Sequence, residues 1–497
     1  MEFRRRTKLQ STDGMGGRLH TQGPASRAIQ QWSQRLLGVV EDRSFHSRGE
    51  QYEANLTKRD YLWNTIGTSI WGFVFPVLTM IATQLSGAEQ AGMFSMAFVV
   101  ASLLMILANF GLRTYQISDI GEKHSFADYQ VNRFITCLAM LIIGFLYCKI
   151  RGYDAYMSTM CAGLFLYRMA DGFADVYEGR LQQMGKLYLG GISLALRSAI
   201  AFVVFTVLLF ITRDLGIAAV GMGIVGVLCL LLISIPLAYL ETPKSAPLDL
   251  SSVIALFAQC WPLFAAFFIY SLVDNMPKFV MEGQLAYDNQ LYFNALYFPA
   301  QFILIAAQLI YKPMLVSLAN TWQDASKRKK FNLIVLAVVA AIIAITAAMA
   351  AIMHFVGLWF MGLLYGIDFM QFETLSMIML VAGGMTAGID FLYQAATVLR
   401  RQRDCLIAYV IALVLSTFVP LLLIHFARLE GACVGYLIVM SVLFLLMLWT
   451  YLRIMFEKPQ RISENGTEAN LQPHQDKGHA YDIARSKARP ATGTAKS

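Results

Sequence analysis

LFLYRMADGFADVYEGRLQQMGK, residues 164–186, is the most informative part of this chain. It lies where a membrane span is expected, yet polar side chains recur in it at spacings of three and four residues: Arg168, Asp171, Asp175, Glu178 and Gln182. At about 100° per residue, these five side chains fall within an arc of roughly 80° on one helix face. Charges inside a hydrocarbon layer are costly unless they pair or line water, so they are rare there and usually functional. The stripe therefore predicts a membrane protein that moves something polar.

The composition of the whole chain is typical of a multi-pass membrane protein. Of its 497 residues, 57% are hydrophobic and 14% are charged, and the mean hydropathy is +0.54. The net charge of +8 gives no sign of nucleic-acid binding, because the basic residues lie between apolar runs and in the tails. The seven cysteines form no CxxC pair or Cys/His cluster, and no nucleotide-binding or hydrolase motif is present. We therefore predict no metal, no cofactor and no catalytic residue.

Twelve apolar runs of spanning length lie between two polar tails. The proline-containing break TPKSAPLDL, residues 242–250, separates the sixth run from the seventh. The predicted organisation is a largely disordered cytoplasmic tail at 1–57, an N-terminal six-helix lobe at 58–240, a cytoplasmic linker at 241–251, a C-terminal six-helix lobe at 252–455 and a disordered cytoplasmic tail at 456–497.

Positive charge predicts the orientation of these spans. Alternate connections carry fourteen Lys or Arg residues in one set and five in the other, and both tails belong with the basic set. Because basic connections stay in the cytoplasm, both termini are predicted to be cytoplasmic. This agrees with an even number of spans, which places both termini on the same side of the membrane.

Depth along the spans brings three ionisable groups to one level near the membrane midplane. Asp171 and Arg197 each lie about ten residues, or roughly 15 Å, from the cytoplasmic ends of spans four and five. A short loop joins these two spans, so an Asp171–Arg197 pair is geometrically plausible. Asp390 in span ten lies at a similar depth in the other half, and Arg168 lies one turn from Asp171. Two interpretations stay open: a central transport cavity, or a buried ion pair that only holds helices together.

Charged residues nearer the span ends also have two interpretations each. Arg113 and Lys312 end spans two and eight, where they either contact substrate or extend their charges to the interface. Asp274 and Lys278 lie near the outer end of span seven and form either an outer gate or an exposed loop pair.

The cytoplasmic end of the stripe is predicted to lie at the membrane surface, in contact with water or lipid headgroups. Glu178, Arg180 and Lys186 are expected to meet headgroups or water, and Asp175 falls between that interface and the midplane.

Several stretches resemble those of one transporter family. NTIGTSIWGFVFPVLTMIATQLSGAEQAGMFSMAF and NFGLRTYQISDIGEKHSFADY, at 64–98 and 109–129, are similar to the opening of bacterial Wzx-like polysaccharide flippases. These belong to the multidrug/oligosaccharidyl-lipid/polysaccharide (MOP) exporter superfamily. The resemblance continues through LYRMADGFADVYEGRLQQMGKL, DNMPKFVMEGQL, YKPML and LRRQRDC, and it covers roughly residues 60–453.

The resemblance implies an all-α, MATE-like membrane protein with twelve transmembrane helices in two six-helix lobes around a central cavity. It implies a flippase, not an enzyme, that carries a polyprenyl-pyrophosphate-linked oligosaccharide across the bacterial cytoplasmic membrane. Transport would proceed by alternating access coupled to protons or sodium. The translocated oligosaccharide would serve the synthesis of a surface polysaccharide, such as the O-antigen of lipopolysaccharide. Partners would be the lipid-linked substrate, the bilayer, and a polymerase and glycosyltransferases of the same pathway.

With that substrate in mind, charge and depth predict the role of each residue. Cations would bind the pyrophosphate and glycan, and the remaining charged groups would couple ions or form gates. The predicted substrate contacts are Arg168 and Arg197, with Arg113 and Lys312 at the cytoplasmic side; the predicted coupling or gating groups are Asp171, Asp175, Asp390, Asp274 and Lys278.

Three other functions are weighed against this one. A cation-coupled multidrug exporter of the same superfamily would favour an acidic, aromatic cavity, against which Arg168 and Arg197 argue. A flippase for the peptidoglycan lipid precursor typically has fourteen spans, whereas this sequence predicts twelve. A membrane-bound glycosyltransferase or ligase would usually need a sizeable outer loop with catalytic carboxylates, whereas every outer loop here is short.

Overall fold

The computed structural model describes residues 49–119, 121–315, 318, 321, 328–398 and 402–456, and these are almost entirely helical. The contacts divide the chain into two units, Met1–Ala265 and Ala266–Ser497. The division falls inside one long helix, beyond the predicted linker at 241–251. Most of both predicted tails lies outside the described residues. The first helix begins at Gly49, so the last nine residues of the predicted 1–57 tail are helical.

The described part of the first unit is built from α-helices joined by short turns. In chain order these are α1 (Gly49–Ser86), α2 (Ala88–Asn109), α3 (Leu112–Ser118), α4 (Phe126–Arg151), α5 (Ala155–Gln183), α6 (Leu187–Thr212), α7 (Leu215–Cys229), a π-helical turn (Leu230–Ser234), α8 (Ile235–Glu241) and the first half of α9 (Leu250–Met281).

Local sequence signals set several of these boundaries. Ser125 and Asp128 form a reciprocal capping box at the start of α4, and Asp154 caps α5 by accepting from the Met157 backbone N–H. Phe110 and Gly111 both adopt left-handed backbone conformations, which end α2 and let α3 leave in a new direction. Helix α3 carries Arg113, so this break decides where that guanidinium lies.

Glycines allow the helices of the first unit to cross at close range. A Cβ added to Gly191 of α6 would lie 2.4 Å from the Trp63 carbonyl oxygen of α1. A Cβ added to Gly163 of α5 would lie 2.4 Å from the Val220 backbone nitrogen of α7. Small residues at such crossings are the usual means of helix packing in membranes, where lipid offers no hydrophobic drive between helices.

The second unit is also helical. Its described elements are the second half of α9, α10 (Asp288–Tyr311), a 3₁₀ turn (Lys312–Met314), α11 (Arg328–Ile352), a π-helical turn (Met353–Gly357), α12 (Leu358–Tyr365), a 3₁₀ turn (Met370–Phe372), α13 (Glu373–Val398) and α14 (Gln402–Phe456).

Helix α14 reverses direction at Arg428, which has non-helical backbone angles of φ 49° and ψ −124°. A Cβ added to Gly435 would lie 3.2 Å from the Pro420 Cα, although the two residues are fifteen positions apart. A continuous helix would separate them by about 22 Å. The two parts of α14 are therefore antiparallel, as the sequence predicted for spans eleven and twelve.

Ten helices of the described residues are long and apolar enough to span a membrane. One of the ten is Asp404–Met455, which contains the reversal at Arg428. Helix α5 is of spanning length at 29 residues but is not among the ten, because of the charged stripe. The chain is thus a multi-pass membrane protein. The count of twelve spans and the cytoplasmic termini stay predictions.

Large apolar side chains cover much of the outer surface of the helices. Phe145, Phe210, Phe355, Phe426 and Leu240 are each more than 60% exposed. A soluble protein rarely exposes apolar area on this scale, whereas lipid tails solvate such side chains.

Candidate functional site

The stripe on α5 is the middle of a largely buried chain of seven charged groups in the first unit. Positive and negative groups alternate along it, and each contacts the next. The contacts, in order, are Arg168–Asp171 at 3.1 Å, Asp171–Arg197 at 3.0 Å, Arg197–Glu178 at 2.7 Å, Glu178–Arg113 at 3.9 Å, Arg113–Asp175 at 2.7 Å and Asp175–Arg133 at 2.7 Å. We call this set the charge chain. Its four guanidinium groups and three carboxylates leave one net positive charge.

Arg197 lies near the centre of the charge chain and is almost fully buried, with a side chain 1% exposed. Its Nε donates to Asp171, and its Nη1 donates to Glu178 and to Ser234 Oγ. The Asp171–Arg197 contact that depth counting predicted is present. Because both carboxylates are buried too, Arg197 balances two charges that have little access to water.

Arg168 lies at one end of the charge chain. It donates to Asp171 and to Ser102 Oγ, and its guanidinium carbon lies 4.5 Å from the ring centre of Phe98. Trp71 of α1 donates to Asp171 at 3.0 Å, to the same oxygen that Arg168 contacts. Asp171 therefore has two partners besides Arg168.

Arg113 is the most accessible cation of the charge chain, with 31% of its side chain exposed. Its Nη1 donates to Asp175, while its Nε and Nη2 share the Gln182 side-chain oxygen at 3.3 and 3.0 Å. Among the arginines of the charge chain, Arg113 is therefore the one that is paired with a carboxylate and also partly exposed.

A glycine on α5 leaves room for a side chain of α3 beside Arg113. A Cβ added to Gly179 would lie 2.4 Å from Gln116 Oε1 and 3.6 Å from Arg113 Cγ. Gln116 in turn donates to the Val176 carbonyl of α5 at 2.9 Å. The Gln116 side chain thus occupies the space that a Cβ at position 179 would fill.

Arg133 belongs to the charge chain but was not among the predicted site residues. The sequence placed it in the connection before span three, whereas α4 begins at Phe126 and buries Arg133 completely, two turns inside. Its Nη2 donates to Asp175, and its Nη1 donates to the Ala108 carbonyl and to Asn109 Oδ1. One feature of the sequence could have placed Arg133 inside the helix: Ser125 is a helix-capping residue, and no helix breaker separates it from the apolar run that follows Arg133.

The prediction that the cytoplasmic end of the stripe meets water or headgroups was wrong for Glu178 and Arg180. Glu178 and Arg180 are 3% and 1% exposed. Glu178 pairs with Arg197, and Arg180 pairs with Glu122 at 2.9 Å. Helix counting missed this because the turns after α3 and α8 fold over this end of α5, as shown by the Arg180 bond to the Pro243 carbonyl. Lys186, which pairs with Glu241, is the most open of the three, with a side chain 37% exposed.

The other predicted residues lie in the second unit and form two clusters. Asp274 accepts from the hydroxyls of Tyr297 and Tyr436 at 2.5 and 2.7 Å. Lys278 donates to Asn275, and its Nζ lies 4.2 Å from the Tyr297 ring centre. Lys278 is 3% exposed, so the alternative of an exposed loop pair was wrong.

In the second of these clusters, Asp390 accepts from Tyr311 and, at 3.1 Å, from Gln308. Gln308 also accepts from Lys312 at 2.8 Å, so one amide joins two of the predicted residues. No group of three or more His, Cys, Asp or Glu residues suited to a metal ion occurs within the described ranges.

The fold is similar to that of solved membrane transporters and flippases. No protein-family model matches the sequence, and no curated protein matches it either. Among solved structures, the chain is similar to the lipid II flippase MurJ in an inward closed conformation, with a TM-score of 0.58 and 11% identity over 80% of this chain and 87% of that one.

Multidrug exporters have the same fold. An inward-facing MATE-family transporter of the MOP superfamily matches with a TM-score of 0.56 and 15% identity, over 79% of this chain and 98% of that one. A mutant of the MATE transporter VcmN of Vibrio cholerae matches with a TM-score of 0.54 and 13% identity, over 82% of this chain and 98% of that one. At these identities the likeness defines the fold and leaves the substrate open.

Proposed function

We propose that this protein is a flippase that moves a polyprenyl-pyrophosphate-linked oligosaccharide across the bacterial cytoplasmic membrane for surface polysaccharide synthesis. The charge chain is the observation that carries the proposal. It sets four arginines against three carboxylates inside one unit of a transporter fold, with Arg113 partly accessible. An excess of guanidinium groups suits a diphosphate, which they bind through paired N–H donors.

A cation-coupled multidrug exporter is the second candidate, and two of the structural neighbours are named as multidrug or MATE transporters. A drug cation would be repelled by the net positive charge chain, which favours the first candidate. A flippase for the peptidoglycan lipid precursor is the third, and a neighbour named as a lipid II flippase supports it. Its substrate has the same anionic link between lipid and sugar, so only the glycan distinguishes it from the first.

The two acidic clusters of the second unit suit the proposed ion coupling. Asp274 accepts from two tyrosine hydroxyls, and Asp390 accepts from one tyrosine hydroxyl and the Gln308 amide, an arrangement in which a proton or sodium ion could replace or rearrange donors. We propose that alternating access is driven by a proton or sodium gradient through these carboxylates. The polymerase and glycosyltransferases of the same pathway would be its functional partners.

Complementation in cells tests this proposal. The gene is expressed in bacteria that lack their own flippase for lipid-linked O-antigen units, and the surface polysaccharide is measured by immunoblot. We expect restored polysaccharide from the wild-type protein and a loss with Arg113→Ala, at equal membrane abundance. Arg213→Ala is the matched control, since Arg213 is an exposed arginine outside the charge chain. Export of cationic dyes from drug-sensitive cells, with no polysaccharide restored in hosts of any glycan type, would support the multidrug function instead.

A further inference from the structure

Asp175 bridges two arginines that differ sharply in freedom. One of its oxygens accepts from Arg113 and the other from Arg133, both at 2.7 Å. Arg133 is fully buried and is also fixed by the Ala108 carbonyl and Asn109. Arg113 is 31% exposed and is otherwise held mainly by the neutral amide of Gln182. The bond from Arg133 therefore fixes Asp175, whereas the bond from Arg113 can be exchanged for another.

Of the four arginines in the charge chain, Arg113 can leave its carboxylate at the lowest cost. If Arg113 turns to another anion, Asp175 keeps Arg133 and is not left as an unpaired buried charge. If Arg197 turned away, Glu178 would keep only the 3.9 Å contact with Arg113. Arg168 has a spare partner for its carboxylate, but its side chain is only 7% exposed. Arg113 is therefore the most accessible arginine of the charge chain and also the one that can leave without stranding a buried carboxylate.

A phosphate oxygen and a carboxylate oxygen compete for the same guanidinium donors. We infer that Arg113 binds the diphosphate of the substrate and that Asp175 occupies this guanidinium when no substrate is present. Asp175 is then an internal competitor that keeps the affinity for diphosphate low enough for release. The substrate class named here rests on the proposed function, whereas the competition between Asp175 and an anion does not.

Pyrophosphate binding to the purified full-length protein tests the inference. Inorganic pyrophosphate is titrated into the protein in detergent at fixed ionic strength, with binding measured by calorimetry. We expect Asp175→Asn to bind about tenfold tighter, because one charge-assisted competitor is removed. Arg113→Ala should weaken binding at least tenfold, and adding Asp175→Asn to it should restore nothing. Unchanged or weaker binding by folded Asp175→Asn would overturn the inference.

Glu241→Gln is the matched control. Glu241 pairs with Lys186 at 2.6 Å outside the charge chain, so this variant adds the same unit of positive charge. It should leave pyrophosphate affinity unchanged. An increase equal to that of Asp175→Asn would mean that net charge alone explains the effect, and the inference would fall.

A measurement on the wild-type protein covers the case in which Asp175→Asn does not fold. Phenylglyoxal modifies accessible arginines, and mass spectrometry maps each site. Pyrophosphate should protect Arg113 but not Arg213, which is exposed and outside the charge chain. Equal modification of Arg113 with and without pyrophosphate would refute the assignment.

Farnesyl pyrophosphate separates a lipid-linked diphosphate from a free anion. It should bind more tightly than inorganic pyrophosphate and respond to both variants in the same way. Equal or weaker binding would refute the assignment to a lipid-linked ligand. Different results would refute the proposed function and the present inference. Absence of lipid flipping with the predicted pyrophosphate responses removes the proposed function, whereas flipping that is unaffected by Arg113→Ala removes this inference.

Discussion

Replacing Arg197 by alanine should be the most damaging change in the charge chain. The substitution deletes bonds to Asp171 and Glu178 and leaves both carboxylates buried. Asp171 keeps Arg168 and Trp71, but Glu178 keeps only the 3.9 Å contact with Arg113. Breaking a buried pair in this way costs about 3–5 kcal/mol, or roughly a hundred- to several-thousandfold in the unfolding equilibrium.

Arg168→Ala provides the comparison, because it removes one bond from Asp171 while Arg197 and Trp71 remain. We expect a cost of about 1–3 kcal/mol for that variant. Both costs are measured as shifts in SDS-induced unfolding of the purified protein in mixed micelles, followed by far-UV circular dichroism. Neutralising the stranded carboxylate, in Arg197→Ala with Glu178→Gln, should recover about 1–3 kcal/mol. If Arg197→Ala cost no more than Arg168→Ala, or the double variant recovered nothing, the pairing described here would be refuted.

Three further substitutions test other parts of the account. Gly179→Ala places a Cβ 2.4 Å from Gln116 Oε1, so the Gln116 side chain must move and its bond to the Val176 carbonyl is disturbed beside Arg113; flipping should fall at least tenfold with little change in membrane abundance. Gly191→Ala places a Cβ 2.4 Å from the Trp63 carbonyl, and the forced separation of α1 and α6 should cost about 1–3 kcal/mol in the same SDS titration. Asp274→Asn should make flipping in liposomes insensitive to imposed proton and sodium gradients, because the carboxylate that accepts two tyrosine hydroxyls loses its charge.

Gly72→Ala is the control for both glycine variants, since nothing lies within 4 Å of its added Cβ. It should leave flipping unchanged and should not lower stability, since alanine favours a helix interior over glycine by up to about 1 kcal/mol. Full flipping by Gly179→Ala would contradict the role given to the α3–α5 contact, and unchanged stability of Gly191→Ala would contradict the close crossing. An Asp274→Asn protein that still responded to a gradient as the wild type does would exclude Asp274 as a coupling group.

The sequence predicted those features that depend on one helix or on two adjacent ones. Apolar length and periodicity predicted helices throughout, and the spacing on α5 predicted a polar face. Asp171 and Arg197 lie on consecutive helices at equal depth, so simple counting along the chain paired them. The reversal at Arg428 followed from a short polar gap between two apolar runs.

Contacts between distant segments could not be predicted in this way. Arg113 reaches Asp175 because α2 ends in a left-handed turn, and Gly179 leaves room for a side chain of α3 beside it; neither effect shows in hydropathy. Arg133 was assigned to a loop because helix α4 begins seven residues earlier than its apolar run. Glu178 is near the end of its helix and still buried, since burial depends on chain segments that fold over it.

Flipping of a defined lipid in liposomes is the most direct test of the proposed function. The purified protein is reconstituted with a fluorescent polyprenyl-pyrophosphate-linked oligosaccharide, and dithionite quenches the label that is exposed on the outer leaflet. The proposed function requires a protein-dependent exchange between leaflets that Arg113→Ala slows at least tenfold and that Arg213→Ala leaves intact. No exchange above protein-free liposomes, with any glycan and under either ion gradient, would contradict it.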